Sequence, residues 1–205
     1  DRRPFAIEIE FTQREWQFYG AVTDYVRAQS EVEGHHPIIR QWRLNTPQRR
    51  MASSLPAMVE HYRTFEVYGD DDQDEEADED RPVNPVAAEE LAAARESLRQ
   101  IVDAWPYDEP DSKYEKLRQV LVELKREDGR LKMLIFAFFK GTLRYLARRL
   151  EADGIKSVLI SGDVPPAERP GVISKFRDDP QIEVMLSSRV GSEGLDFQFC
   201  STLAN

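Results

Sequence analysis

The feature that most limits the possible folds is an alternation of apolar and amphipathic segments in the last third of the chain. Three apolar runs of strand length, LKMLIFAFF, IKSVLIS and IEVMLSS, begin at residues 131, 155 and 182. The segments between them, TLRYLARRLEADG and PAERPGVISKFRDD, have the apolar spacing of amphipathic helices. Strands that are apolar throughout are typical of parallel sheets, which are covered on both faces. The pattern therefore predicts an α/β fold of βαβ units with right-handed crossovers.

A candidate binding loop, SSRVGSEGLDFQ, begins at Ser187 in the third apolar run. Ligands of open parallel sheets bind beyond the carboxyl ends of the strands, so its position alone makes it a candidate site. Gly191 and Gly194 let a ligand approach the backbone closely. The hydroxyls of Ser187 and Ser188 suit phosphate oxygens, whereas the Asp196 carboxylate only accepts hydrogen bonds and suits a ribose hydroxyl. The residues alone leave two interpretations open: contact with a nucleotide or nucleic acid, or a tight strand-to-helix turn capped by Asp196.

The part of the chain before residue 131 has mainly helical periodicity. FAIEIEF at residues 5–11 alternates apolar and polar residues and predicts a half-buried strand. The TQRE sequence that follows it is a capping-box pattern and predicts a helix over about residues 12–29. Further helices are expected where apolar residues recur at helical spacing: residues 38–44, residues 47–67, the segment between Asn84 and Pro106, and the segment between Asp111 and Gly129.

Two prolines and three tryptophans add detail to this helical half. Pro47 is expected near a helix start, and Pro56 is expected to break or kink the helix that contains it. The tryptophans all lie in helical segments and are expected in the core, not as platforms for base stacking: Trp16, Trp42 and Trp105. The first 130 residues are therefore expected to form a mostly helical unit.

The charge of the chain is concentrated in one block. The sequence DDDQDEEADED at residues 70–80 supplies nine of the acids behind the net charge of −10. Such a block repels itself and buries nothing apolar, so a disordered loop is expected at 70–82. The remainder is close to neutral and neither favours nor excludes a nucleic-acid partner. The single Cys200 forms no internal disulfide and no apolar run approaches the roughly 20 residues of a membrane span, so a cytoplasmic chain without a membrane partner is expected.

Residues 111–205 contain three blocks that resemble, in order, motifs of the second RecA-like lobe of superfamily-two helicases. KMLIFAFFKGTLRYLARRL resembles the motif that opens this lobe, LISGDVPPAERPGVISKF the next one, and MLSSRVGSEGLDFQ the fifth motif. Within the Swi/Snf-type branch, GSEGLDFQF is most similar to bacterial RapA-like ATPases. Upstream, FTQREWQFYGAVTDYV and RRMASSLPAM resemble helical segments between the lobes. The resemblance implies that residues 111–205 form part of a RecA-like lobe, a fold similar to that of P-loop NTPases. It also implies that residues 1–110 form a mostly helical inter-lobe subdomain.

The resemblance also implies roles for individual residues. Five polar side chains around the strand ends would contact a nucleic-acid backbone: Lys140, Thr142, Ser187, Ser188 and Arg169. Four residues of the fifth motif would contact ATP in the interlobe cleft, with the last near the ribose: Gly191, Glu193, Gly194 and Asp196. Taken as residues alone, Lys140 could equally be an exposed lysine at a helix start, and Arg169 could cap a helix or form a salt bridge. Ala137 stands where the family often has a serine.

Several parts of an ATP-hydrolysing site do not occur in these 205 residues. There is no GxxxxGK[ST] phosphate loop, and DEEAD at residues 74–78 follows GDDDQ, which is no buried strand. The chain also ends at Asn205, before an arginine-bearing sixth motif. Phosphoryl transfer uses the loop lysine, magnesium ligands and usually an arginine. We therefore expect this fragment to be inactive alone, with no catalytic residue, metal or required cofactor, whereas its full-length parent uses ATP and Mg²⁺.

Two functional interpretations follow. The first is a fragment of an ATP-dependent nucleic-acid translocase or remodelling helicase, with double-stranded DNA as the expected track and RNA polymerase or another protein as a further partner left open. The alternative is a non-catalytic protein-interaction module built on a helicase-lobe remnant. A dinucleotide-binding dehydrogenase domain is disfavoured because no glycine fingerprint follows the first strand. The sequence leaves open whether the track is DNA or RNA.

Overall fold

The computed structural model describes residues 6–33, 37–68, 85–106, 110–127, 129–188, 199–200 and 202–204. The chain divides into two compact units, Glu10–Glu109 and Asp1–Ile9 with Pro110–Asn205. The acidic block at 70–82 lies outside the described residues, so the disorder expected of it stays a prediction. Within the described residues, no helix is both long enough and apolar enough to cross a membrane.

In its described residues, the unit Glu10–Glu109 consists of four helices: α1 (Gln13–Val32), α2 (Pro37–Ser53), α3 (Leu55–Tyr68) and α4 (Pro85–Asp103). Helix α1 packs against the other three and supplies the centre of the core. Its Phe18 and Val22 are fully buried, and the ring of Phe18 meets that of Trp105 edge-on, with 5.4 Å between the ring centroids. Burial of this apolar stripe stabilises the packing of the four helices against one another.

The predicted capping box at the start of α1 is confirmed. The Thr12 amide donates to Oε2 of Glu15 at 2.6 Å, and the Glu15 amide donates to Oγ1 of Thr12 at 3.3 Å. The two bonds satisfy amides that the helix itself leaves without a partner. The predicted strand at 5–11 is wrong, because residues 6–12 form no strand and are not part of the sheet of the described residues. Alternation of apolar and polar residues is not enough for a strand, because a strand is stable only when it pairs with neighbouring strands.

The prediction for Pro47 is also wrong, since α2 runs through it without a break. Leu44 and Met51, two turns apart on α2, are both buried, and their packing favours a continuous helix over the loss of one backbone hydrogen bond. The break expected from Pro56 is confirmed. It falls at Ser54, whose hydroxyl oxygen accepts a hydrogen bond of 3.3 Å from an amide in the first turn of α3.

The tryptophans divide between the core and the surface. Trp105 is buried as expected, whereas Trp16 is 59% exposed, so its predicted core position is wrong. Helix α1 buries the face that carries Phe18, and a residue two positions away points to the opposite side. The Trp16 ring instead packs edge-on against Phe11 and Tyr19, with 5.3 and 5.9 Å between ring centroids. The side chain of Trp42 lies outside the described residues.

The second unit alternates helices and strands, as the sequence predicted: α5 (Ser112–Glu127), β1 (Met133–Phe136), α6 (Lys140–Ala152), β2 (Ser157–Ile160), α7 (Arg169–Asp178), β3 (Val184–Ser187) and β4 (Thr202–Ala204). The strands form one parallel sheet in the order β2-β3-β1-β4, which confirms the α/β class. Strand β4 was not predicted, since three residues are too short to show a period.

The core of this unit joins the sheet to α7. Leu134 of β1, Ile160 of β2 and Met185 of β3 are buried with Phe176 of α7 and with Ile182. All four residues of β3 are buried, as expected of a central parallel strand. The sheet is therefore a rigid support whose strand ends hold the connecting residues in defined positions.

Two local signals in the sequence set helix ends beside this sheet. Asp111 precedes the first residue of α5, and its Oδ1 accepts a hydrogen bond of 2.8 Å from the Tyr114 amide. Gly154 lies two residues beyond the last residue of α6 and has a φ of 71°. The amides of Gly154 and Ile155 donate to the carbonyls of Glu151 and Leu150 at 3.0 and 2.8 Å, the bond pattern of a Schellman motif. Both positions lie at the limits of the segments predicted to be helical, which start after Asp111 and stop at Gly154.

Candidate functional site

The candidate site lies at the carboxyl ends of the strands. Phe136 at the end of β1 is level with Ser187 at the end of β3, and Ser187 is level with Ile160 at the end of β2. The Ala137 amide donates to the Ser187 carbonyl at 3.1 Å, and the Ser188 amide donates to the Ile160 carbonyl at 3.0 Å. The residues that follow the three strands, 137–140, 161–163 and 187–188, thus share one edge, which we call the carboxyl edge.

The most prominent contact of the carboxyl edge is an ion pair between Lys140 and Asp163. Lys140 Nζ donates to Asp163 Oδ1 at 2.7 Å, and the two side chains are 57% and 69% exposed. Lys140 follows β1 and Asp163 follows β2, and these strands lie on either side of β3. The pair therefore spans the carboxyl end of β3, where the candidate loop SSRVGSEGLDFQ begins.

The carboxylate of Asp163 is held in place from its own loop as well. Ser161, which directly follows β2 and is buried, donates its hydroxyl to Asp163 Oδ2 at 3.3 Å. The Asp163 amide in turn donates to Oγ of Ser161 at 3.3 Å. The hydrogen bond from Lys140, followed by its charge, holds the pKa of Asp163 below its usual value, with smaller contributions from Ser161 and the charge of Arg144. The carboxylate is ionised at neutral pH and faces cations.

The serines and the threonine that were predicted to contact nucleic acid are buried side chains. Ser187 is 0% exposed, and its hydroxyl donates to the Ser188 carbonyl at 3.1 Å. Ser188 and Thr142 are buried as well. Of the residues predicted to contact the nucleic-acid backbone, Lys140 is therefore the exposed one, whereas Thr142, Ser187 and Ser188 are buried and Arg169 is partly buried. Their roles in binding a nucleic acid stay predictions.

Arg169 lies at the first position of α7. Its Nε donates to the Val164 carbonyl at 3.0 Å, a contact that ties the loop after β2 to this helix. The sequence left open a structural role for Arg169, and this bond is a structural contact. A contact of Arg169 with nucleic acid stays a prediction. The residues predicted to contact ATP lie outside the described residues: Gly191, Glu193, Gly194 and Asp196.

Three residues of this region had no role in the sequence predictions. They are Phe138, Asp163 and Arg144. Phe138 is 61% exposed and packs edge-on against Phe139, with 5.1 Å between the ring centroids. Arg144 is exposed and lies one helical turn after Lys140 on α6. Their signal in the sequence was position alone, because Phe138 and Asp163 lie two and three residues after strand ends.

Comparison with known proteins shows which families and relatives the chain is similar to. Residues 112–205 match the family described as the helicase conserved C-terminal domain. The chain is similar to the ATP-dependent RNA helicase DeaD of Mycobacterium tuberculosis, with 34% identity over 73 residues that cover 36% of this chain and 13% of that protein. It is also similar to the ATP-dependent RNA helicase RhlB of Xanthomonas axonopodis pv. citri, with 32% identity over 110 residues that cover 54% and 18%. The chain thus spans less than a fifth of the length of either relative.

A solved structure supports the same fold. The helicase domain of Hef from Pyrococcus furiosus aligns with 93% of this chain and 46% of its own, at a TM-score of 0.56 and 15% identity. At that identity the likeness concerns the fold and nothing further. Residues 112–205 are therefore similar in sequence to the helicase conserved C-terminal domain, and their parallel sheet agrees with the RecA-like fold class predicted from the sequence.

Proposed function

We propose that this chain is part of an ATP-dependent nucleic-acid translocase or remodelling helicase of the Swi/Snf type, and that its carboxyl edge contacts the nucleic-acid backbone. The observation that carries the proposal is the position of Lys140, an exposed cation at the first position of α6 on the same carboxyl edge as the buried Ser187 and Ser188. A cation beside helix-terminal amides is suited to phosphate oxygens. The match of residues 112–205 to a helicase domain supports the same assignment.

We assign different roles to the two halves of the chain. Residues 111–205 act as a partial second lobe, and residues 1–110 act as an inter-lobe helical subdomain. Gly191, Glu193, Gly194 and Asp196 contribute to an ATP cleft that is completed by parts absent from these 205 residues, where the full-length protein uses ATP and Mg²⁺. A GxxxxGK[ST] loop does not occur in the sequence, so this chain alone hydrolyses no ATP, with or without nucleic acid.

The nature of the track has two candidates. The resemblance to RapA-like ATPases favours double-stranded DNA, whereas the similar proteins of Mycobacterium and Xanthomonas are named RNA helicases. Contacts with the phosphate backbone carry no sequence information and are available on either polymer. We propose a bacterial protein of the cytoplasm, in keeping with its single cysteine, and leave RNA polymerase as one conceivable protein partner.

The test measures binding of the 205-residue chain to fluorescent single- and double-stranded DNA and RNA at low salt. Lys140→Ala should weaken binding by about three- to tenfold, because one phosphate contact is lost. The matched control is Lys156→Ala, an exposed lysine just before β2, at the opposite end of the strands. An equal loss in both variants would show that only overall charge matters.

The competing interpretation, a non-catalytic protein-interaction module, makes a different forecast. It expects no binding of any of the four oligonucleotides, even at low salt, and no effect of Lys140→Ala on them. The same measurements therefore separate the two functions, and the DNA and RNA arms identify the preferred track.

A further inference from the structure

The ion pair of the carboxyl edge joins distant segments, unlike Arg118 with Glu115, which pair within one helix, and Arg177, which pairs with the adjacent Asp178. Lys125 and Glu183 also pair over a long separation, but Glu183 is only 16% exposed and lies before β3, away from the carboxyl edge. Lys140 and Asp163 are 23 residues apart and join the connections that follow two different strands. Such a pair depends on the sheet, because the strand order brings the two connections to the same edge.

A second cation, Arg144, acts on this pair. Lys140 at the start of α6 and Arg144 one turn later are both exposed, and both charges favour the ionised form of Asp163. Lys140 contacts the carboxylate directly, and Arg144 acts on it through its charge. A carboxylate oxygen that accepts a hydrogen bond from a lysine resembles a phosphate oxygen in its charge and its hydrogen-bonding capacity.

We propose that Lys140 and Arg144 form a site for one phosphate of a nucleic-acid backbone, and that the carboxylate of Asp163 occupies this site as a competing anion. The inference rests on the proposed function and adds to it the role of Arg144 and the competition by Asp163. A phosphate that enters the site must displace the carboxylate from Lys140 or accept its repulsion. Asp163 therefore lowers the affinity of the edge for nucleic acid.

The competition is physically reasonable because the pair is easily opened. Both side chains are more than half exposed, and solvent-exposed ion pairs are weak since water and salt screen them. Ser161 keeps the carboxylate near the site after displacement, because its hydroxyl bonds to the other oxygen, Oδ2. Asp163 can then return when the phosphate leaves, which suits a protein that must release its track to move along it.

The test compares Asp163→Asn with Asp178→Asn in the 205-residue chain, with a fluorescent DNA or RNA oligonucleotide as the probe. Both changes remove one exposed acid that pairs with a cation, so the overall charge changes equally. Asp163→Asn should tighten binding by about three- to tenfold, and Asp178→Asn should leave it nearly unchanged. Thermal melting of each variant shows that the fold is retained, and Asp163→Ser serves as a second variant.

Two further variants test the cations. Arg144→Gln should weaken binding about threefold and lower the slope of log affinity against log salt by about one, whereas Arg177→Gln should do neither. In the double variant Asp163→Asn/Lys140→Ala, most of the gain from Asp163→Asn should disappear, since the two residues act through one contact.

The outcomes separate this inference from the function on which it rests. If Lys140→Ala weakens binding but Asp163→Asn equals Asp178→Asn, competition by Asp163 is excluded and the proposed function stands. If Asp163→Asn weakens binding, Asp163 positions Lys140 for the ligand and the inference is also overturned. If neither the unmodified chain nor Asp163→Asn binds any oligonucleotide, the proposed function fails together with it.

Discussion

The ammonium of Lys132 donates a hydrogen bond of 2.6 Å to the carbonyl oxygen of Phe176 and lies 5.1 Å from the centroid of the same residue's ring. It also donates to the carbonyls of Asp179 and Ile182 at 2.6 and 2.7 Å. One lysine just before β1 thus closes the carboxyl end of α7 and the connection to β3. These contacts join segments that are more than 40 residues apart in the sequence.

Replacing this lysine should destabilise the α/β unit. Lys132→Met keeps much of the aliphatic chain but removes three charge-assisted hydrogen bonds and a favourable charge at a helix carboxyl end. We expect a loss of about 2 kcal/mol in the free energy of unfolding, measured by urea titration with circular dichroism. Lys156→Met, at an exposed lysine, is the control and should cost little. Equal melting of the two variants would contradict a structural role for Lys132.

The capping box of α1 should stabilise the helical unit. Thr12→Ala removes the oxygen that accepts the Glu15 amide, and such caps are worth about 1 kcal/mol. We expect faster amide hydrogen exchange in the first turn of α1, with little change at its carboxyl end. Thr64→Ala is the matched control, because the Thr64 hydroxyl only bonds back to the Glu60 carbonyl within α3. Unchanged exchange at residues 13–16 would argue against the box.

Two buried tyrosines should make the α/β unit sensitive to alkali. Burial raises the pKa of both Tyr114 and Tyr145, and the hydrogen bond of 2.7 Å from Tyr114 to Asp153 Oδ2 raises that of Tyr114 further. Because the folded state holds these protons more tightly, their stabilising effect is complete below the unfolded pKa of about 10 and is lost as the pH rises above it.

The double variant Tyr114→Phe/Tyr145→Phe tests this linkage. It removes both ionisable groups, so its free energy of unfolding should fall less between pH 8 and pH 10.5 than that of the unmodified chain. The variant is expected to be less stable at pH 8, because each phenol is hydrogen-bonded to an aspartate. A parallel fall in both proteins would assign the alkaline sensitivity to other groups.

The candidate loop should serve two functions in the full-length protein. Ser188→Ala should weaken the stimulation of ATP hydrolysis by nucleic acid while ATP binding stays nearly intact, since we expect the serine to face the track. Asp196→Ala should lower ATP turnover with little change in nucleic-acid affinity measured without nucleotide. Steady-state ATPase assays and oligonucleotide titrations separate these effects. If both substitutions change only the melting temperature, the loop is a structural turn.

The sequence by itself determined the class of the fold and several helix ends. The alternation of apolar runs with amphipathic segments predicted the first three strands and the helices between them, because residues close in the chain decide which period is possible. The capping box at Thr12 and the glycine at 154 were also readable, because a cap bonds to amides only two or three residues away and a glycine can take the positive φ of a helix end.

Only the tertiary structure decided how distant segments meet. Strand β4 joins the sheet beside β1, Pro47 stays inside α2, and Trp16 faces outward, all because packing between elements outweighs local preference. The pairing of Lys140 with Asp163 likewise depends on β3 lying between β1 and β2, an order that no local pattern specifies. Local periodicity tells which face of an element is apolar, but the partner that covers this face, and the charges that meet at the strand ends, follow from contacts across the whole unit.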